Sequence, residues 1–550
     1  TTLGKDSSGN GNNFTPNNYS VAAAPANDSV VDTPTDNFCT WNALTDENDM
    51  VLANGSLNAT NTTDSWPSVY GTIGASSGKF YFEATNTDQT RWGLGWSPTS
   101  YFEGNSGSFA DGYFAYSQDP LTRYATGSGS AINGNPAFTT SDVLQVAIDI
   151  GAGKIWYGID NTWVNDDSGN AGNPAAGTYP INTFTAGTEM FPKLVNNKGN
   201  VSVNWGQQGF AFTPPSGFET LSTANLATPT IKNPSKYFNT GTYTGTGSSN
   251  AITGLGFQPD KVVVKMRNTA DQDFQVFDAV RGANKVLRWN TQETSDTQTT
   301  RFTSFDSDGF TVGTENITNQ SSKNFVYWAW KESATAGFDM VAYTGDGNTP
   351  RNISHSLGAV PELMIVKNLS DNSTRWIVYN KTMDADENMF LNSVDDDENL
   401  NNYWASTRPT SSVFTVMDGS EVNGDGKSYI NYLWTSVEGM CKVGTYSGNS
   451  SNNGIHLNMG FRPSFFLVKN TNDNAAWILY DDARGSNSDN PYIVPSGYNN
   501  MVELNDVDLD IVSNGIKFRY AHNNTNYTEN GSAYIYLAMA RSPFKYANAR

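Results

Sequence analysis

A chain of 550 residues with 33 basic and 54 acidic side chains carries a formal charge of −21, with 16% charged residues, 13% aromatics and 50 glycines. The acidic balance argues against nucleic acid, which needs a Lys/Arg stripe to displace counterions, and against an anionic membrane surface. No apolar run approaches the roughly 18 residues of a membrane helix, and the aromatic content excludes disorder over most of the length. Val, Thr, Tyr, Phe and Trp for strands, with Gly, Asn, Asp and Ser for turns, point to an all-β protein.

In chain order, residues 1–36 are rich in Gly, Asn, Ser, Pro and Asp, ending in Asp32-Thr33-Pro34-Thr35-Asp36, and read as an extended arm or linker. The chain opens on Thr1-Thr2 rather than Met, so either the N-terminus was removed or, the favoured expectation, more protein lies upstream. From 37 to 222, short period-two runs succeed one another: Lys79 to Ala84, Arg91 to Trp96, Asp142 to Asp149, Lys154 to Asp160 and Val201 to Trp205. Trp92, Leu94 and Trp96 share one face. Runs of this kind between Gly, Asn and Ser clusters predict a two-sheet sandwich.

The remainder repeats itself. Tyr243-Thr244-Gly245, Tyr343-Thr344-Gly345 and Tyr446-Ser447-Gly448 open three units, each followed by Gly-x-x-Pro: Gly256 to Pro259, Gly358 to Pro361, Gly460 to Pro463. Next comes a strand ending in Val264-Lys265, Val366-Lys367 or Val468-Lys469, then an aromatic strand starting at Phe274, Trp376 or Trp477. Closing strands start at Phe325, Tyr429 and Tyr534. A unit of about 100 residues suits a β-sandwich, so three tandem sandwich domains are expected at 223–334, 335–440 and 441–550. Residues 383–402, acidic and Asn-rich, are expected to form a long loop in the middle unit.

The chemistry-bearing residues are sparse. His355 and His456 occupy inequivalent repeat positions, His522 lies among Asn residues, and all three read as structural. Cys39 and Cys441 read as buried free thiols. Zinc and Cys–His nucleophile spacings do not occur, so no catalytic residue, metal or cofactor is assigned. Glu83, Asp149 and Asp160 lie on predicted strands, where a hydrolase would need two carboxyls across a cleft, but solvent-face positions of a sandwich look the same. Asp306-Ser307-Asp308-Gly309 and Asp395-Asp396-Asp397-Glu398 offer oxygen ligands for calcium without matching its 12-residue loop. Gly93-Leu94-Gly95 and Gly245-Thr246-Gly247 open no helix, which a phosphate loop requires. The Asn-x-Ser/Thr triplets at Asn352 and Asn526 are expected by chance in such a chain. Tyr101, Phe102, Tyr124 and Trp163 fall in or beside predicted loops and are the candidate ligand-binding residues, able to stack on sugar rings or to pack at the edge of the core.

Residues 66–218 resemble the SPRY domain, through Gly78-Lys79-Phe80-Tyr81-Phe82-Glu83, Trp92 to Trp96, Asp111 to Tyr116, Asp142 to Asp149, Lys154 to Asp160, Phe191-Pro192-Lys193-Leu194 and Val203-Asn204-Trp205-Gly206. Asn161-Thr162 stands where the family usually has Asn-Gly. The resemblance implies a SPRY-like (concanavalin-like) β-sandwich that binds protein or peptide through variable loops and lacks catalytic activity.

The arm and the repeats resemble tail-fibre and head-fibre proteins of bacteriophages, especially marine ones. The matching segments are Asp32 to Phe38, Gly256 to Asp260, Phe277 to Gly282 and Ser307 to Phe310. The middle repeat departs most, with Asn380-Lys381 in place of Asp-x-x-Arg-Gly, and the third has Ser513-Asn514-Gly515-Ile516 in place of Ser-Asp-Gly-Phe. This implies a non-enzymatic virion surface protein, extracellular on the particle, touching other virion proteins and a host-surface glycan or envelope protein, as a homotrimer. A structural capsid-decoration or spacer protein and a glycan depolymerase are the alternative readings.

Overall fold

The computed structural model describes residues 32–547, except 34, 46–49, 87–90, 99–100, 103–108, 110–111, 117–121, 132–137, 141, 268–271, 396–402, 486–490, 493–503, 506–508 and 528–532. It is almost entirely β. Two compact units divide the chain: 1–99 with 104–227, and 100–103 with 228–550.

The first unit is a sandwich of two sheets, antiparallel except where the short strand Glu219–Thr220 lies parallel to Lys79–Asn86. One runs Val51–Ala53, Asn58–Asn61, Gly199–Asn204, Lys79–Asn86, Val143–Asp149, Lys154–Ile159, Thr162–Trp163; the other runs Ser68–Tyr70, Met190–Asn196, Trp92–Pro98, Tyr113–Tyr116, Thr122–Ala125, Ser128–Ala131. The face carrying Trp92, Leu94 and Trp96 is fully buried. Across the sandwich, Phe82 lies 5.9 Å from Trp96 and 4.6 Å from Trp205, which in turn meets Trp41 at 5.3 Å. Most of the arm lies outside the described residues. Its end does not run free: Phe38 N donates to Asp32 Oδ1, Phe38 bridges Ser222, and Asn37 N donates to Thr223 Oγ1.

In the second unit the same strand order recurs in three sheets. The first is Phe238–Thr244, Asn324–Trp330, Lys261–Met266, Gln275–Asp278; the second is Phe338–Thr344, Ser428–Trp434, Leu363–Asn368, Trp376–Asn380; the third is Cys441–Ser447, Ala533–Pro543, Phe461–Asn470, Ile478–Asp481. Each central strand is buried on both faces. Alternation along the strand divides its side chains between two cores. Val262 and Val264 enter a core belonging to the first segment, as do Met364 with Val366 in the second and Phe466 with Val468 in the third. The intervening Val263, Ile365 and Leu467 all enter one common core.

The expected independence of three tandem domains is therefore replaced by a shared interior. Strands apolar on both faces must be covered twice, and the second cover is supplied by the other two segments. Side chains stitch them in cyclic order. Trp376 Nε1 donates to Arg288 O (2.9 Å) and Trp477 Nε1 to Phe390 O (2.9 Å), while Trp328 Nε1 reaches Asp481 Oδ2 (3.0 Å).

The Tyr-Thr/Ser-Gly opening has a geometric reason. The tyrosine hydroxyls donate to Thr318 O, Val422 O and Thr525 O respectively. A Cβ on the glycine would stand 2.2 Å from Gln320 O, 2.1 Å from Gly424 O or 2.4 Å from Tyr527 O, so only glycine admits the loop. Asn319, Asn423 and Asn526 hold that loop by accepting the backbone N–H of Thr246, Asp346 and Asn449.

Candidate binding patch

On the strand Trp92–Pro98, the residues facing away from the sandwich core are Gly93, Gly95 and Ser97. Gly93 stands opposite Tyr116, Gly95 opposite Phe114, and Phe114 opposite Tyr124, which puts these aromatics on the same second face. Phe109 lies over Gly93, where a Cβ would sit 2.2 Å from its ring. Its ring stacks on Tyr124 (4.4 Å, 22°) and meets Phe114 and Tyr116 edge-on at 5.2 and 5.4 Å. Trp66 closes the group, 5.9 Å from Phe109 and 6.0 Å from Tyr116.

Phe114 and Tyr116 are buried, while Trp66, Phe109 and Tyr124 are each partly exposed. A buried aromatic floor thus orients rings whose remaining surface faces outward. Such faces bind by stacking on apolar or C–H-rich surfaces, with little entropy to lose on binding.

Of the four candidates from sequence, Tyr124 belongs to this patch. Tyr101–Phe102 is a short strand rather than a loop, paired antiparallel with His456–Asn458 so that Phe102 stands opposite His456. Trp163 lies on the strand Thr162–Trp163 and packs half-buried, with Phe210, against Tyr81, Ala147, Trp156 and Phe218. Sequence reading missed Trp66 and Phe109. Their signal was Gly93 itself, since a glycine inside a strand marks a close approach.

The titratable candidates are held in structural roles. Glu83 accepts from Tyr81 Oη (2.8 Å), Ala211 N (2.7 Å) and Phe212 N (2.9 Å). Asp149 pairs with Lys79 at 3.1 Å, and Asp160 accepts Val143 N at 2.9 Å. Asp308 takes Gly254 N and Gly256 N, and Asp306 takes Thr311 Oγ1, so the first calcium candidate is a strand-end clamp. Of the second run, Asp396, Asp397 and Glu398 lie outside the described residues. Among the described residues no three His, Cys, Asp or Glu side chains come together as a metal site.

His456 is fully buried against Asn514 (3.2 Å), and burial first, then Lys517, pushes its pKa down to about 3. His355 Nε2 lies 3.1 Å from Thr410 O, and His522 Nδ1 accepts Asn524 N. Burial raises the Cys39 thiol to about 12 and lifts Cys441 too, so neither supplies a thiolate at neutral pH. Asn526, in one of the Asn-x-Ser/Thr triplets, is wholly buried.

Among solved structures, the chain is similar to the PSpry domain of TRIM65 at 13% identity (TM-score 0.24), covering 30% of this chain and 89% of that one. It is also similar to the SPRY domain of human HERC1 at 15% identity (TM-score 0.21; 28% of this chain, 91% of that one). A third similarity is to stonustoxin at 14% identity (TM-score 0.23), where 30% of this chain covers 27% of that one. In the second unit, residues 233–543 match the model of a family described as a domain of unknown function, DUF7483, and with more than half of its length so matched the chain belongs to that family.

Proposed function

We propose that this chain is a non-enzymatic virion surface protein, of the bacteriophage tail-fibre or head-fibre kind, that attaches to a host-surface glycan or envelope protein. The observation that carries the reading is the patch of Trp66, Phe109 and Tyr124, partly exposed and fixed from below by Phe114 and Tyr116. The second unit serves as a mount to other virion proteins. A homotrimer would multiply weak patches into avidity. Labelled chain, assembled as on the particle, is expected to bind host cells or envelope extracts, and to lose that binding on Tyr124→Ala. Failure of the assembled protein to bind either would sink the reading.

A structural role, as capsid decoration or spacer, is the second reading. It is favoured by the interlocked second unit, whose buried polar side chains are spent on stitching segments together. Imaging of intact particles separates the two: a place on capsid facets supports decoration, a distal tail position supports attachment.

A further inference from the structure

Three short strands hold the same place in the three segments of the second unit, between the Tyr-Thr/Ser-Gly loop and the Gly-x-x-Pro turn. They are Asn250–Thr253, Arg351–Ser354 and His456–Asn458. On one side each pairs antiparallel with a strand of its own segment: Gly309–Val312, Val413–Val416 or Gly515–Phe518. On the other side they differ. His456–Asn458 is covered by the antiparallel strand Tyr101–Phe102, with Phe102 opposite His456. Asn250–Thr253 and Arg351–Ser354 are the edges of their sheets.

Close contacts show which backbone groups these edges present. A Cβ on Gly309 would stand 1.9 Å from Ile252 O, and one on Gly515 1.9 Å from Leu457 O, so both carbonyls turn to the inner partner. In the second segment His355 N donates to Ser412 O (3.0 Å), which turns Ile353, two residues earlier, the same way. Successive residues of an antiparallel strand present their N–H and C=O to alternate sides. Ala251 and Thr253, and Asn352 and Ser354, therefore point theirs outward, as His456 does toward Phe102. Among the described residues no strand pairs with these outward groups. All four residues are exposed, whereas His456 is completely buried.

Open edges are commonly guarded by Lys, Pro or a bulge. Asn250-Ala251-Ile252-Thr253 has none of these. Arg351 is the one charged residue of the other edge strand, and its guanidinium turns back onto Thr344 O (2.6 Å), Asn423 Oδ1 (2.9 Å) and Asp346 (3.2 Å). The outward-pointing residues are small and uncharged, so another backbone can come within hydrogen-bond distance.

We propose that Asn250–Thr253 and Arg351–Ser354 are strand-accepting edges, each taking an extended, uncharged segment of a partner protein that runs antiparallel and pairs with Ala251 or Asn352. The third edge argues for this occupant: polypeptide backbone already fills it in that direction, and the two open edges present the same donors and acceptors. Strand addition of this kind draws its affinity from main-chain hydrogen bonds. The proposal goes beyond attachment through the aromatic patch and does not depend on it.

The test uses the full chain and a synthetic peptide of its own sequence from Thr99 to Gly104, which contains the strand that fits the third edge. Amide hydrogen exchange is followed by mass spectrometry with and without peptide. In the free chain the amides of Ala251 and Asn352 should exchange fast and that of His456 slowly. At a peptide concentration about ten times its Kd, the two fast amides should slow about tenfold. Ala251→Pro with Asn352→Pro deletes one outward N–H at each edge, a position where proline is tolerated, and should abolish the protection. Ala251→Lys with Asn352→Lys leaves the backbone intact and should weaken it. Tyr124→Ala, which is expected to remove host binding, should leave it unchanged. Exchange at both edges unaffected by peptide up to its solubility limit would overturn the proposal. So would concentration-dependent dimers of the chain that the Lys pair abolishes, since these would assign the edges to a second copy.

Discussion

The phenol of Tyr432, on the strand Ser428–Trp434, donates to Asp278 Oδ2 at 2.7 Å, across the junction between the second and first segments. The same carboxylate holds Arg281, three residues on, through Nε and backbone N. At the next junction the arrangement recurs: Asp481 holds Arg484 and accepts Trp328 Nε1. At the third, all three members change together. Asn380 replaces the aspartate, Met383 the arginine, and Leu537 the aromatic donor, the latter two inside the shared core. A buried ion pair cannot lose one member without stranding the other, which accounts for the coordinated change.

That coupling is testable by transplanting the third junction onto the first. Asp278→Asn or Arg281→Met alone should destabilise by about 3–5 kcal/mol, the range for breaking a buried pair. The triple change Asp278→Asn, Arg281→Met, Tyr432→Leu should recover most of that loss. Denaturant midpoints for singles and triple give the interaction energy directly; simple additivity of the losses would refute the account.

The motif Asp-x-x-Arg-Gly and its departure in the middle repeat are legible in the sequence, but its partner Tyr432 is 154 residues from Asp278 and carries no local mark. The shared core does leave a signal in the sequence. Val262-Val263-Val264, Leu363-Met364-Ile365-Val366 and Phe465-Phe466-Leu467-Val468 are continuous apolar runs, and a strand with one solvated face alternates instead. In the first unit, alternation at Trp92, Leu94 and Trp96 identified the core face correctly because the intervening residues are glycines. The patch escaped for the same reason: the covering ring, Phe109, comes from a different stretch of chain and leaves its trace only as an absent side chain at Gly93.

Glu332 introduces a loss of stability as pH rises from the acid range to neutrality. Its carboxyl accepts Met340 N, and burial first, then the hydrogen-bonded Asp339 carboxyl, raises its pKa from 4.5 to about 7. Between those values the folded chain holds a proton that the unfolded chain has released. This contribution to stability is full below about pH 4.5 and is lost as pH rises through 7. Glu332→Gln should remove that decline, seen as a flatter Tm between pH 5 and 8; an unchanged slope would show that the proton resides elsewhere.

His456 acts in the opposite sense. With its pKa lowered from 6.5 to about 3 inside the protein, the unfolded chain binds the extra proton between those limits. Its contribution is full above pH 6.5 and falls as the solution is acidified, by at most about 1.4 kcal/mol per pH unit. His456→Asn should shift the acid unfolding midpoint downward in pH relative to its own neutral-pH stability, as followed by near-ultraviolet circular dichroism during acid titration. An acid limb of the same steepness in the variant would assign it to carboxylates instead.

The patch gives the last prediction, because Gly93 can be altered without touching the exposed rings' own chemistry. A Cβ there would lie 2.2 Å from Phe109 Cε1. Since that atom is the end of a partly exposed side chain, the ring can swing away at little expense to the fold. Gly93→Ala should therefore unstack Phe109 from Tyr124 while leaving Tm within a few degrees of wild type. Binding to host cells should fall to the level of Tyr124→Ala, and the double variant should be no worse than either single one, since both act through one stack. Trp163→Ala is the control: it removes packing against Tyr81, Ala147, Trp156 and Phe218 on the other sheet, so it should lower Tm by several degrees and spare binding. If Gly93→Ala bound like wild type while Trp163→Ala did not, the contact surface would lie on the larger sheet and the assignment of the patch would be wrong.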